Sequence, residues 1–206
     1  MKNRAKEFDI ISIMKLHLLP IVLLPAIAGC LGAAPKAPRN WVVDLSAPVS
    51  AAASEASAEA PSVKLLQLEV LAPYGGTRLA VLRGDGSIAF DAFNSFAAQP
   101  SALLKGAAFD VVESSGVFSR TVRPGSSASA DFSLEITVTR IALDCREKGR
   151  LDASVALAMT LVGGRKVFST SRGEASVHVE GGDYSYAFSK SFERAALEAL
   201  RALKTR

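Results

Sequence analysis

The sequence predicts an α+β two-layer sandwich, with one mostly antiparallel sheet and two amphipathic helices packed on one face. Three observations carry this. Apolar residues alternate with polar ones from Phe132 to Val179, the two-residue period of strands with one buried face. Two segments, Gln99 to Ser115 and Tyr184 to Leu203, repeat their apolar residues three and four apart, as helices do. Glycine-rich turn signals, Gly84-Asp85-Gly86 and Gly163-Gly164, separate strand-like runs closely enough to close tight hairpins. The order of strands, helix, hairpin strands and helix fits helices segregated to one side of a single sheet.

Ahead of this pattern, an apolar run from Leu16 to Ala28 follows the basic Lys15 and ends in small residues directly before Cys30. That is the layout of an export signal. A membrane span needs about 20 apolar residues, whereas this run is shorter and is broken by Pro20 and Pro25. The stretch from Leu24 to Cys30 resembles a bacterial lipobox. The resemblance implies cleavage before Cys30 and acylation of that cysteine, a covalent acyl/diacylglycerol group being the only attachment expected and no cofactor being expected. Residues 1–29 are then a signal peptide, although Met14 opens a compact signal by itself. Leu31 stands where Asp would favour inner-membrane retention, which points to the outer membrane, with the domain facing the periplasm.

Of 206 residues, 177 remain once the first 29 are removed, one domain's worth. In that remainder, basic residues outnumber acidic ones by only two, and the two signs are mixed, as in Asp144-Cys145-Arg146-Glu147-Lys148-Gly149-Arg150. No basic stripe for nucleic acid is present. Residues 30–40 are Ala, Pro, Gly and basic residues, too poor in apolar bulk to pack, and read as a tether. Residues 41–206 form the domain.

Taken in order, Trp41 to Leu45 reads as a short strand and Ser46 to Ser62 as a long Ala/Ser/Glu/Pro loop. Leu66, Leu68 and Val70 alternate with Gln67 and Glu69 and predict a strand buried on the leucine face. Pro73 to Gly76 turns the chain. Arg78 to Arg83 and Ser87 to Ala92 form a hairpin. The first helix starts at Pro100 and stops at Gly116, with Leu104, Ala107, Ala108, Val111 and Val112 on its apolar stripe. Val117 to Val122 reads as a strand.

Leu134, Ile136 and Val138 face inward, and the apolar set resumes one residue out of phase at Ile141, Leu143 and Cys145, which predicts a β-bulge near Thr139 to Ile141. Leu151 to Leu161 continues inward on odd positions, and Gly173 predicts a second irregularity in the last strand. The second helix presents Phe188, Phe192, Ala195, Ala199, Leu200 and Leu203 to the sheet, with Lys190, Glu193, Glu198 and Arg201 away from it. Its core partners include Leu134, Ile136, Val155 and Leu157.

No catalytic constellation is visible. His178 is the single histidine after the signal, so a nucleophile–histidine–acid set would lack alternatives. Neither Cys145 nor His178 has a neighbouring ligand at metal spacing. The glycine pairs lie between strands and lack the phosphate-loop Lys-Ser/Thr. No enzyme activity, metal or cofactor is therefore expected.

From Trp41 onward the chain resembles the ABC-type transport auxiliary lipoprotein family. The resemblance is carried by the lipobox and the aromatic-x-x-x-Leu run Trp41 to Leu45. It continues through Leu66-Gln67-Leu68-Glu69-Val70-Leu71-Ala72-Pro73-Tyr74, Arg78 to Arg83, and Ile88 to Pro100. It implies a non-enzymatic, lipid-anchored partner of an ABC permease and ATPase and of a mammalian-cell-entry (MCE) type periplasmic protein in lipid transport. The alternative is a structural or assembly lipoprotein of the envelope. With both helices on one face, the other would present Thr137, Thr139, Ser154, Ala156, Ala158 and Thr160, a small, weakly polar surface suited to docking on that partner or to homo-oligomer formation.

Overall fold

The computed structural model describes residues 42–45, 57 and 59–204, all within the unit from Asn40 to Arg206. Cys30, the signal, the tether, Trp41 and most of the Ser46 to Ser62 loop lie outside the described residues. Among those described, the chain forms strands β1 (Val42–Val43), β2 (Ser62–Val70), β3 (Arg78–Arg83) and β4 (Ile88–Phe96), helix α1 (Pro100–Ser114), and strand β5 (Arg120–Val122). Strands β6 (Phe132–Cys145), β7 (Asp152–Gly163) and β8 (Lys166–His178) and helix α2 (Tyr184–Ala202) follow. The α+β sandwich is as expected, but its sheet is mixed.

The long ladders β6–β7 and β7–β8 and the hairpin β3–β4 are antiparallel, whereas β2 and β3 both run parallel to β6. β2 lies along Phe132 to Val138 and β3 along Ala142 to Cys145, so the two share one edge of β6. Between them the chain leaves the ladder at Leu71 and passes opposite the β6 irregularity between Val138 and Arg140, where the sequence places a bulge. β1 and β5 pair in parallel with β4 and β2.

The turns follow their residues. Gly86, at φ 82°, closes β3–β4, with Asp85 accepting from the amide and hydroxyl of Ser87 at 2.9 and 2.6 Å. Gly164, at φ 62°, closes β7–β8. Glycine takes such positive φ without a Cβ clash.

Helix α1 packs on β2 and β5, α2 packs on β7 and β8, and the helices touch each other. All five stripe residues of α1 are buried, as are all six of α2. Leu134, Ile136, Val155 and Leu157 meet them in one core, and Phe96 packs edge-on to Phe188 with ring centroids 5.5 Å apart. Asp183 caps α2 by accepting from the Tyr186 amide at 2.9 Å, and Arg201 sits in the last turn, where the helix dipole favours a cation.

Four expectations change. Leu66 is exposed, because β2 starts earlier than its alternation suggests and shifts register between Leu65 and Gln67; Val63, Leu65 and Leu68 are the buried set. The strand after α1 is confined to Arg120–Val122, since residues 116–119 bend and Gly116 takes φ 68°. Glu193 is buried at 5% exposure rather than turned to solvent, its carboxylate 2.8 Å from the Lys190 ammonium. Gly173 is in register opposite Leu157; the shift in that ladder lies between Leu161 and Val162. Among the described residues no helix is long and apolar enough to cross a membrane.

Candidate functional site

The face of the sheet away from the helices is built by the register of β6, β7 and β8. Thr137 lies opposite Ala158 and Ala158 opposite Arg172; Glu135 lies opposite Thr160 and Thr160 opposite Thr170. Thr137, Ala158 and Thr160 thus sit together on this face and are partly exposed. Thr139 occupies the bulge, and its hydroxyl donates to the Ala156 carbonyl at 3.1 Å.

The bulge brings Arg140 onto the same face. Arg140 is opposite Ala156, and Ala156 is opposite Glu174. The Arg140 guanidinium crosses the small Ala156 side chain to pair with the Glu174 carboxylate, and its Nε donates to Ser154 Oγ at 3.2 Å. Ser154 is 1% exposed, so it supports this arm and offers no contact surface. The alanine is small where a charged pair passes over it. With Arg172, Glu135 and Glu69 nearby, the face is charged at its margins and small at its centre. Reading each strand alone missed Arg140, because only the bulge determines which face it joins.

At the β6–β7 turn a shallow recess is lined by Asp144, Arg146, Glu147, Arg150 and Asp152. Arg146 Nη2 lies 2.6 Å from Asp144 Oδ2, Arg150 Nε lies 2.8 Å from Asp152 Oδ2, and His178 Nδ1 lies 3.1 Å from Asp152 Oδ1. The hydrogen bond from Arg146 holds the Asp144 carboxyl below its ordinary value, against partial burial. These carboxylates are engaged by cations of their own strand ends. Cys145 is half-buried, and burial, with Asp144 and Asp91 nearby, pushes its thiol up and away from the reactive thiolate. Among the described residues no group of three or more His, Cys, Asp or Glu is placed to hold a metal ion.

No family model matches the chain, and no curated protein matches it. Solved structures share its fold. Protein XCC0632 from Xanthomonas campestris, of the DUF330 family, superposes with TM-score 0.52 at 15% identity, covering 79% of this chain and 88% of that one. A second, uncharacterized protein superposes with TM-score 0.50 at 14% identity over 69% of this chain and 95% of its own. A PelC dodecamer from Paraburkholderia phytofirmans aligns with TM-score 0.41 at 14% identity over 70% of this chain and 93% of that one, too loosely to argue from. At such identities the first two likenesses establish the fold alone.

Proposed function

We propose that the chain is a lipid-anchored envelope protein that works by binding, as a non-enzymatic auxiliary component of an ABC/MCE-type lipid-transport system at the outer membrane. The lipobox-like stretch ending at Cys30 carries the anchor. The single structural observation that supports a binding role is the helix-free sheet face, where Thr137, Ala158 and Thr160 form a small, low centre inside a charged margin. A surface of this kind lets a partner approach closely at its centre while the margin sets orientation. The transport assignment comes from the family resemblance, and the shared fold with XCC0632 is compatible with it.

The test is a pull-down of the lipidated full chain from envelope extract, paired with lipid analysis. Co-purified MCE or permease partners without bound lipid indicate an adaptor; stoichiometric phospholipid indicates a carrier. Ala158→Arg with Thr160→Glu should abolish capture while leaving the melt and membrane fractionation intact. Retained capture moves the contact to the loops or helices. Amino-terminal mass spectrometry decides the anchor: an unmodified Cys30 removes it. The second reading, a structural or assembly lipoprotein of the envelope, is favoured if capture returns cell-wall proteins instead.

A further inference from the structure

The described chain begins at β1, and the place where it joins the sheet is unusual. Val42 and Arg78 are both register partners of Ser95, so the three form one row across β1, β4 and β3. Val43 and its partner Phe96 point into the core, which puts the Val42–Ser95–Arg78 row on the face without helices. Val42 is 63% exposed. The Arg78 guanidinium lies 5.2 Å from the centroid of the Phe90 ring, itself exposed.

Between Phe90 and Ser95 the strand makes an excursion, since Ala80 pairs with Phe90 and Arg78 already with Ser95. The excursion is held in shape by one side chain. The Asp91 carboxylate accepts from the Phe93 amide at 2.7 Å, the Asn94 amide at 3.0 Å and Asn94 Nδ2 at 2.9 Å. Burial alone would raise that carboxyl, yet these bonds keep it below its ordinary value. The result is Phe93 held outward at 54% exposure, within the excursion that joins Phe90, which Arg78 overlies, to Ser95, the register partner of Val42 and Arg78.

We propose that this corner, Val42, Phe93, Phe90 and Arg78, rests in the interfacial region of the bilayer that carries the Cys30 anchor. The proposal rests on the acylated reading of Cys30. Val42 follows Cys30 by 12 residues, a chain that spans about 40 Å at full extension, so the bilayer lies within reach of the corner where the chain enters the sheet. The chemistry suits that occupant. Aromatic and aliphatic side chains enter the headgroup/acyl boundary, and an arginine on the same surface reaches lipid phosphate while its stem stays apolar. The acyl chains of a diacylglycerol on Cys30 supply stable residence by themselves, and the corner adds a second point of contact. Such a contact would also fix the orientation of the domain relative to the bilayer.

The experiment uses the lipidated full chain in phosphatidylethanolamine/phosphatidylglycerol vesicles, with and without brominated acyl chains. Trp41 is the one tryptophan, so Phe93→Trp in a Trp41→Phe background reports from the corner alone. Phe168→Trp in the same background is the matched control: Phe168 is 47% exposed but packs on Phe132 at the β7–β8 turn, four strands away across the sheet. The expected result is a blue shift and loss of most emission for Phe93→Trp, with Phe168→Trp unquenched. Chain that floats with the vesicles while Phe93→Trp stays unquenched, or while both are quenched alike, overturns the proposal and leaves the anchor standing. A blue shift without vesicles that grows with protein concentration assigns the corner to a second copy and also overturns it. Failure to float with an unmodified Cys30 overturns the anchor, and the proposal with it.

Discussion

A Cβ placed on Gly173 would lie 1.9 Å from the carbonyl oxygen of Ala195, in the backbone of α2. Helix and sheet meet backbone to backbone at this point, and only a residue without a side chain lets them. The glycine keeps strand geometry, in register opposite Leu157. Its role is close approach, and the irregularity its presence suggests lies elsewhere.

Gly173→Ala should therefore force α2 off β8. Overpacking of this kind costs about 1 to 3 kcal/mol and occasionally more, and the obstacle is main chain, which cannot rotate aside. Thermal and urea melts of the variant measure it. A melt equal to that of the parent chain would place the crossing of α2 somewhere else along the strand.

Phe192 is fully buried between α2 and the sheet. Phe192→Ala should cost about 3 to 5 kcal/mol through lost burial and the cavity left behind. For a domain of ordinary stability that is a large share of the total. Urea denaturation reads the loss directly; a change below 1 kcal/mol, roughly the scale of a surface substitution, would contradict the packing.

Arg140 and Glu174 form an ion pair whose acid is largely exposed. Exposed pairs contribute about 0 to 1 kcal/mol, so Arg140→Met should leave stability nearly unchanged. It should nonetheless uncover Ala156 and Ser154 and alter partner capture. A double-mutant cycle with Glu174→Gln separates the pair from its surroundings: a coupling well above 1 kcal/mol would mark the pair as structural.

Acid should weaken the domain through Asp131 and Asp144. The Ser62 hydroxyl and amide, at 2.7 and 2.8 Å, hold the Asp131 carboxyl below its ordinary value, as Arg146 does for Asp144. A carboxylate lowered by folding contributes stability that is fully present above its unfolded value of about 3.9. That contribution is lost as pH falls through the lower folded value. The urea midpoint should fall as pH drops below about 4, and Asp131→Asn should flatten part of that decline. An unaltered pH profile for Asp131→Asn would mean that the Ser62 bonds, which tie the start of β2 to the residue before β6, add nothing on ionisation.

Much of this fold is determined by sequence alone because it depends on local period. Alternation along β6 and β7, the three-and-four spacing of α1 and α2, and the glycine turns each report which side of one element is apolar. Even the bulge near Thr139 is legible, as a slip in phase between Val138 and Ile141. Tertiary structure decided what depends on partners distant in the chain. The parallel docking of β2 and β3 on one edge of β6 has no local signature, since both partners present the same alternation whichever way they run. The exposure of Leu66, the burial of Glu193, the passage of Arg140 over Ala156 and the contact of Gly173 with Ala195 arise only when separate elements meet. A side chain's periodicity reports its own element's apolar face, whereas its neighbours across the sheet are fixed by register and by the depth at which a helix settles.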